Sequence, residues 1–224
     1  VERSRGLGDV YKRQLGGDGM EVQIDNRNPN IVFTGSQFGF YARLDLDTGK
    51  RKLIKPIHEL GNSPYRFNWQ TPILLSPHNQ DVLYLGSNFL HKSSNQGDDW
   101  QTISEDLTSG GKKGNVPYGT ITTISESPVK EGVLYTGSDD GLVYVSKNSG
   151  KTWKNISGNL PKKLWVSNVY ASNHDEKVVY LSLDGYRWDN FSPYLFQSKN
   201  YGKTWESISS VSYTHLTLPT TPYV

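Results

Sequence analysis

The sequence predicts an all-β protein built from four similar units, and three observations carry that prediction. An eight-residue motif that ends in tryptophan occurs three times, at Trp100, Trp153 and Trp205, at spacings of 53 and then 52 residues. A β-rich run precedes each copy, and no segment longer than ten residues shows the apolar stripe of a helix. Four-stranded units with a period of about 40–50 residues are blades of a β-propeller. The predicted fold is therefore a partial β-propeller of about four four-stranded antiparallel blades.

The composition agrees with a folded, strand-rich chain and excludes several classes of protein. Of the 224 residues, 34% are hydrophobic and 12% are aromatic, which is enough apolar surface to form a core. Cysteine is absent, so disulfides, thiolate metal sites and a cysteine nucleophile are excluded. No run approaches the roughly 20 apolar residues that a membrane span needs.

The two ends of the chain differ from the units between them. Residues 4–14 and 211–220 can be encoded by one DNA sequence read on opposite strands, and both resemble translated sequencing adapters. We therefore expect residues 1–14 and 211–224 to be adapter-derived additions to a metagenomic fragment, with no part in the core. Without them the formal charge of +2 becomes zero, because the ends carry four basic and two acidic residues. A neutral segment of this kind predicts no nucleic-acid or membrane partner.

The four blades are expected near residues 15–60, 66–108, 117–160 and 165–210, within one propeller fragment that spans residues 15–210. In the first blade, Met20, Val22 and Ile24 alternate with Glu21 and Gln23, which is the pattern of a half-buried strand. A polar turn then leads into a second apolar strand, and the same order returns in each later blade. Each blade is thus expected to contain four short strands.

The repeated motif places serine, asparagine, glycine and tryptophan at fixed spacing between the third and fourth strands. Its members are Ser93, Asn95, Gly97 and Trp100, then Ser146, Asn148, Gly150 and Trp153, then Ser198, Asn200, Gly202 and Trp205. The glycine supplies the positive φ of a tight turn, and the asparagine accepts hydrogen bonds from the turn's backbone. The tryptophan buries a large ring against the neighbouring sheet, so we expect all three rings to be largely buried. The motif predicts a structural turn rather than a catalytic site.

This residue pattern resembles the Asp-box, with asparagine in the aspartate position, and residues 15–210 resemble the BNR (Asp-box) propellers. That family includes bacterial sialidases, xyloglucanases and the sortilin luminal domain. The phrases at 28–32, 67–78, 125–128 and 137–142 resemble the sortilin-like N-terminal propeller of large secreted bacterial proteins that are often labelled glycosyl hydrolases. The resemblance implies a secreted, periplasmic or cell-surface protein, and further blades in a parent chain.

Five side chains are expected to bind ligand on the entrance face, where the loops into the first strand and between strands two and three meet. They are Arg66, Trp69, Tyr186, Arg187 and Trp188. Tryptophan, tyrosine and arginine carry most of the binding energy in known interfaces, and long loops often carry function. The last three lie in an enlarged loop at 184–193. In the alternative interpretation, Trp69 packs under its own blade with Arg66 solvated, and Trp188 and Phe191 fill the gap that their own loop creates.

Four carboxylates are the candidates for catalysis: Asp18, Asp139, Asp140 and Asp189. Asp139 and Asp140 are adjacent at a predicted loop tip, where they could hold a cation, act as an acid–base pair or contact a ligand at the rim. The alternative is that they are ordinary turn residues beside glycine. A sialidase arginine triad is not expected, because only Arg66 and Arg187 of the five arginines in residues 15–210 fall on the entrance face.

The expected function is a binding propeller that recognises a peptide or a glycan on its entrance face. The alternative is a xyloglucanase- or sialidase-like glycoside hydrolase whose catalytic residues lie partly outside this segment. A purely structural repeat array, the third possibility, predicts no pocket. We expect no cofactor, and the wide spacing of the histidines predicts no zinc site.

Overall fold

The computed structural model describes residues 16–209, so the expected adapter-derived ends lie outside the described residues. The first two blades contain β1 (Val22–Ile24), β2 (Ile31–Ser36), β3 (Phe40–Asp45) and β4 (Arg51–Leu53), then β5 (Ile73–Leu75), β6 (Leu83–Gly86), β7 (Leu90–Ser93) and β8 (Gln101–Thr102). The other two contain β9 (Ile121–Glu126), β10 (Leu134–Ser138), β11 (Val143–Ser146) and β12 (Lys154–Asn155), then β13 (Trp165–Ala171), β14 (Val179–Gly185), β15 (Asn190–Ser198) and β16 (Glu206–Ser207). Within residues 16–209, no helix is long and apolar enough to cross a membrane.

Each blade is a four-stranded antiparallel sheet whose strands pair in chain order. Successive blades pack face to face, and each interface has its own apolar cluster. Phe33 and Tyr41 of blade 1 meet Leu83 of blade 2, and Tyr84 of blade 2 meets Leu134 of blade 3. The largest cluster lies between blades 3 and 4. These sheets confirm the predicted all-β propeller architecture.

The first strand of blade 1 is half-buried, but its apolar residues occupy the open side. Val22 and Ile24 are 53% and 50% exposed, whereas the polar residues Glu21 and Gln23 turn toward blade 2. Their carboxylate and amide oxygens accept hydrogen bonds from two backbone N–H groups of β5, each at 3.3 Å. The alternating pattern correctly indicated a strand, but the polar side proved to be the one that faces the next blade.

The same kind of bond joins the first strands of blades 3 and 4. The Val169 N–H donates to Thr123 Oγ1 at 3.2 Å, and the Ala171 N–H donates to Ser125 Oγ at 3.0 Å. An unpaired strand edge ordinarily offers such N–H groups to another chain. Side chains of the preceding blade therefore cover part of the innermost edges of β5 and β13.

The repeated motif forms the expected turn between the third and fourth strands. Ser93 Oγ accepts the Gly97 N–H at 2.8 Å, and Asn95 Oδ1 accepts the Asp99 N–H at 2.9 Å. Gln96 and Gly97 both have positive φ, at 59° and 87°, so glycine removes the steric cost at one of two left-handed positions. Equivalent bonds form in the other two turns, between Ser146 and Gly150, Asn148 and Thr152, Ser198 and Gly202, and Asn200 and Thr204.

Each motif tryptophan fastens its blade to the preceding one. The indole N–H donates to the carbonyl of the isoleucine that directly follows the fourth strand of that blade, in the pairs Trp100–Ile54 (2.7 Å), Trp153–Ile103 (2.9 Å) and Trp205–Ile156 (2.8 Å). The motif glycine packs so closely on the same isoleucine that an added methyl group would collide with it. Trp205 is buried, at 6% exposure, whereas Trp100 and Trp153 are only partly buried. The expectation of large burial therefore holds fully for Trp205 alone.

Candidate ligand-binding site

Antiparallel strands in chain order place two sets of connections at the same end of every blade. The segment that enters the first strand and the turn between the second and third strands form the entrance face, and the motif turns lie at the opposite end. The sequence-predicted ligand-binding residues are all on entrance-face segments. The structure then decides which of them share one cavity.

A cleft of about 410 Å³ opens on the entrance face. It is lined by Glu21, Gln70, Thr122, Thr123, Trp165, Ser167, Asn168, Asp184, Tyr186 and Arg187. Blades 1, 3 and 4 and the segment that enters blade 2 all contribute to it, so the cleft exists only because the blades are arranged around one axis. Most of its wall is polar, and its aromatic rings come from blade 4.

Arg187 is held over two aromatic rings at the side of this cleft. Its Cζ lies 4.0 Å from the centroid of the Trp165 ring and 4.8 Å from that of Tyr186. Among residues 16–209, none of the ion pairs involves Arg187. Stacking fixes the plane of a guanidinium while leaving its N–H groups available as donors. The Arg187 guanidinium therefore has a fixed orientation at the side of the cleft.

The segment that carries Arg187 has more regular secondary structure than the enlarged loop expected at 184–193. Strand β14 runs to Gly185, β15 begins at Asn190, and a 3-10 turn at Tyr186–Trp188 joins them. Asp184 Oδ1 accepts the Tyr186 N–H at 2.9 Å and so holds the start of the turn. The loop prediction was wrong in extent, because pairing of the two strands extends beyond the point where the polar sequence suggested a loop.

Glu21 and Asp184 bring two carboxylates into the cleft, and the sequence analysis did not select either one. Burial raises the pKa of Glu21, although its carboxylate accepts the Ile73 N–H. The available signal for Glu21 was its position just before the first strand of a blade, on the entrance face. For Asp184 it was a position near the end of β14, beside the β14–β15 connection.

Asp139 and Asp140 lie beneath the surface, at 1% and 6% exposure. Asp139 Oδ1 accepts the N–H groups of Gly119 and Thr120, both at 3.0 Å, and its Oδ2 accepts the Thr120 hydroxyl at 2.7 Å. Asp140 Oδ2 accepts both the N–H and the hydroxyl of Ser109 at 2.7 Å. The two carboxylates thus hold the 109–120 segment against blade 3. The residues that the structure describes include no cluster of side chains suited to a metal ion.

The position of Asp139 has counterparts in blades 1 and 2 that form the same kind of hydrogen bond without a charge. Gln37 Oε1 accepts the Asp18 N–H at 3.2 Å, and Asn88 Oδ1 accepts the Arg66 N–H at 3.0 Å. In each case the residue that follows a Gly-Ser pair at the end of the second strand binds the segment that enters the first strand of its own blade. An amide oxygen is therefore sufficient for this role.

We expect Asp139→Asn to keep the free energy of unfolding within about 1 kcal/mol of the parent, and Asp139→Ala to lower it by about 2 kcal/mol or more. Asparagine can accept both backbone N–H groups, whereas alanine leaves them buried without a partner, at about 1–3 kcal/mol each. Urea unfolding of the two variants at neutral pH measures the difference. Equal losses in both variants would show that the charge itself is needed.

The pH dependence of the same variants provides a second measurement. Burial raises the pKa of Asp139 above its ordinary value, so the unfolded chain loses this proton first as the pH rises. The parent is expected to lose stability as pH rises from the unfolded pKa of about 4 to the raised folded value. This contribution is absent from Asp139→Asn, so the two stability curves should separate over that interval.

Arg66 is engaged within the protein rather than in the cleft. Its guanidinium binds Asp106 Oδ2 at 2.7 Å, Thr108 Oγ1 at 3.1 Å and the Gly119 carbonyl at 3.1 Å. Trp69 is 47% exposed, and its ring lies edge-on to Phe38 with centroids 5.1 Å apart. Neither side chain lines the cleft.

The remaining sequence-predicted residues are exposed on the same face. Asp18 and Asp189 are exposed, and Trp188 is 49% exposed on the turn beside Tyr186. Of the five predicted ligand-binding residues, the structure brings Tyr186 and Arg187 into the cleft and leaves the other three outside its lining. A role for any of these residues in binding or catalysis stays a prediction.

Comparison with known families identifies one repeat in this chain. The family described as the BNR-Asp box repeat matches residues 195–208, which include the last motif turn. No curated protein matches the sequence. The match agrees with the Asp-box resemblance that the three turns indicated.

Solved structures with the same fold are also propellers. An ancestral GH74 enzyme aligns with a TM-score of 0.61 and 18% identity, over 86% of this chain and 24% of that chain. The GH74 xyloglucanase from Xanthomonas campestris aligns with a TM-score of 0.52 and 14% identity, over 87% and 38%. The Dos1 propeller aligns with a TM-score of 0.56 and 16% identity, over 81% and 46%. This chain therefore shares their fold and spans less than half of each.

Proposed function

We propose that this chain is a binding propeller that recognises a glycan in the entrance-face cleft. The observation that carries the proposal is the stack of Trp165, Arg187 and Tyr186 beside a polar wall built from other blades. A volume of about 410 Å³ suits a small ligand, since such pockets occupy about 300–1,000 Å³. An extracellular or cell-surface location, which the BNR resemblance implies, accompanies this proposal.

The side chains of the cleft match the two surfaces of a sugar. Tyr186 is 51% exposed and offers an apolar ring face with a polar end. The Asn168 amide can both donate and accept hydrogen bonds, whereas the Thr122 hydroxyl donates to the Val166 carbonyl at 2.6 Å and can still accept. The Ser167 hydroxyl also lines the cleft and bonds Ser182. Arg187 adds donors of fixed direction. Together they fit a ring with alternating C–H and hydroxyl groups.

A peptide is the less favoured ligand, for a reason of backbone chemistry. Extended peptides commonly bind by adding a strand to an open sheet edge. Here the side chains of Glu21 and Gln23 occupy N–H groups of β5, and those of Thr123 and Ser125 occupy N–H groups of β13. Strand addition at these inner edges would first have to displace those bonds.

We expect Tyr186→Ala and Arg187→Ala each to weaken glycan binding at least about tenfold, a loss of about 1.4 kcal/mol. The measurement is titration calorimetry with oligosaccharides selected from a panel that includes xyloglucan fragments and a set of peptides. Tyr170→Ala is the matched control, because Tyr170 is 50% exposed on blade 4 but does not line the cleft. Its affinity should stay within about twofold of the parent.

Equal losses in Tyr186→Ala and Tyr170→Ala would refute the assignment of the cleft. Binding of peptides in place of glycans, with the same dependence on Tyr186, would keep the site and change the ligand class. Binding that depends on Trp69 and Arg66 instead would place recognition elsewhere on the entrance face.

The alternative function is a glycoside hydrolase, and one observation favours it. Glu21 has a raised pKa, as a general acid requires, and Asp184 lines the same cleft as a second carboxylate. If the chain hydrolyses a glycan of the panel, Glu21→Gln should abolish turnover while glycan binding survives. Asp184→Asn should also abolish turnover, and it leaves the turn intact because asparagine keeps the oxygen that accepts the Tyr186 N–H. The binding proposal expects no turnover by the parent chain. Turnover by the parent that is lost in these variants would replace the binding proposal with a hydrolase function.

A further inference from the structure

A groove between blades 3 and 4, beside their motif turns, is lined by lysines that form no ion pair. It has a volume of about 370 Å³, and Lys147, Lys154 and Lys203 contribute to its wall. Among residues 16–209, none of the ion pairs involves these three side chains, and no aspartate or glutamate lines the groove. All three lysines are exposed, so positive charge is concentrated here although residues 15–210 carry no net charge.

The equivalent place between blades 1 and 2 has an ion pair instead. Lys52 and Lys154 each lie two residues before the isoleucine that follows the fourth strand. Asp98 and Lys203 each follow the motif glycine of the next blade. Lys52 Nζ lies 2.8 Å from Asp98 Oδ1, so the first groove pairs a cation with an anion. Lysine at position 203 removes that anion and adds a second cation near Lys154.

The groove between blades 2 and 3 also contains carboxylates. Lys92 and Lys151 line it together with Glu105 and Asp106. Asp45 likewise lines the groove between blades 1 and 2. Of these three grooves in the described part of the chain, only the one between blades 3 and 4 presents cations without a carboxylate in its wall.

Two uncharged residues complete the wall and add to its donor character. Thr152 Oγ1 accepts an N–H of the Asn148 amide at 2.9 Å, so the Thr152 hydroxyl can still donate its own hydrogen. The Tyr201 hydroxyl donates to Glu176 Oε1 at 2.6 Å, which fixes the tyrosine ring. Lys147 Nζ lies 4.9 Å from the centroid of that ring and is thereby oriented at the groove.

We propose that this groove binds an anionic saccharide, whose sulfate or carboxylate groups are held by Lys147, Lys154 and Lys203. A lysine ammonium is a compact point charge with three donors, so it can bind anionic oxygens from several directions. Three such groups around about 370 Å³ suit charges that are spaced along a chain of sugars. The groove lies beside the motif turns, at the end of the blades opposite the entrance face, and is therefore a second site that does not depend on the proposed cleft.

A nucleic acid fits this groove less well, because its bases need open aromatic faces on which to stack. Trp153 is partly buried, and its indole N–H is bound by the Ile103 carbonyl at 2.9 Å. The face of Tyr201 is occupied by Lys147. A phosphopeptide is also less suited, since the described wall contains no arginine, the residue that binds phosphate through two parallel hydrogen bonds.

The test is titration calorimetry of the full 224-residue chain at low salt, with a heparin oligosaccharide and an oligogalacturonate as probes. The first carries sulfate groups and the second only carboxylates, so the two probes distinguish the anionic group. We expect the triple variant Lys147→Gln/Lys154→Gln/Lys203→Gln to weaken binding of the preferred probe at least about tenfold, since each exposed ion pair contributes modestly. Lys203→Asp places a carboxylate near Lys154, as in blades 1 and 2, and should weaken binding as much without lowering the thermal unfolding midpoint.

The matched control removes the same charge elsewhere. Lys113→Gln/Lys162→Gln/Lys199→Gln replaces three exposed lysines that do not line the groove, and its affinity should stay within about twofold of the parent. Tyr186→Ala, in the entrance-face cleft, should also leave binding of the charged probes unchanged.

Binding of a charged probe that is lost in the groove variants and kept in both controls supports the proposal. No binding of either probe, equal losses in the two triple variants, or tighter binding of an oligonucleotide overturns it. Binding of a charged probe that depends on Tyr186 and not on the groove lysines would move the anionic saccharide to the cleft and also overturn it. Failure of the proposed function is seen separately, in neutral glycans whose binding does not depend on Tyr186.

Discussion

Replacing Trp205 by alanine is expected to lower the free energy of unfolding by about 3–5 kcal/mol, the usual cost of removing a buried tryptophan. The ring is 6% exposed and belongs to the largest apolar cluster, between blades 3 and 4. Its loss also leaves the Ile156 carbonyl without the indole N–H that binds it at 2.8 Å. The substitution therefore removes apolar contact and a hydrogen bond between the same two blades.

Urea unfolding followed by circular dichroism measures this loss, with Trp188→Ala as the matched control. Trp188 is 49% exposed and lies outside the apolar clusters of the described residues, so its removal should cost less than about 1 kcal/mol. Similar losses in both variants would show that the motif tryptophan does not fasten the blades.

The second large effect is a loss of about 3 kcal/mol of stability as the pH falls from 6.5 to 4, caused by His91. This side chain is 1% exposed, and its Nε2 and Nδ1 lie 2.8 and 3.1 Å from the hydroxyls of Ser87 and Thr102. Burial lowers the pKa of His91 to about 4. The unfolded chain therefore binds this proton first, near pH 6.5, and the folded chain binds it only near pH 4.

Comparison of the parent with His91→Gln isolates this effect, because glutamine keeps polar groups at the site but does not titrate. The difference between the two unfolding free energies should change by about 3 kcal/mol between pH 7 and pH 4. His174→Gln, at an exposed position, is the control and should follow the parent throughout. The comparison with His91→Gln is needed because burial raises the pKa values of Glu21 and Asp139. Near pH 4 these two carboxyl groups make the folded chain more stable as the pH falls, which is opposite to the effect of His91. A constant difference across this range would contradict the assignment to His91.

Much of the fold could be predicted from the sequence because its signals are local. The turn at Ser93–Gly97 needs only residues within one motif: a hydroxyl, an amide oxygen and a glycine at positive φ. The repeat of that motif then locates the last three blades, and the alternating pattern at Met20–Ile24 indicates the first strand of another blade before them. Burial of the tryptophans was predicted less well, since it depends on how closely the neighbouring blade approaches each ring.

The candidate site could be predicted only in part. The sequence placed Tyr186 and Arg187 on the correct connection, because tyrosine and arginine in an entrance-face segment are recognisable by type. It also selected Asp139, but that carboxylate is buried against the backbone of residues 119–120. The path of the preceding segment decides this burial. A residue's type indicates what it can bind, whereas its neighbours decide whether it is accessible.

The sequence by itself therefore determined the strands, the blade repeat and the motif turns, each of which depends on residues close together in the chain. Only the tertiary structure decided that Glu21 shares a cleft with Arg187, 166 residues later, and that Arg66 is bound internally by Asp106. The reason is geometric. The rotation from one blade to the next places distant residues around one axis, and it arises from the packing of whole sheet faces rather than from any local pattern.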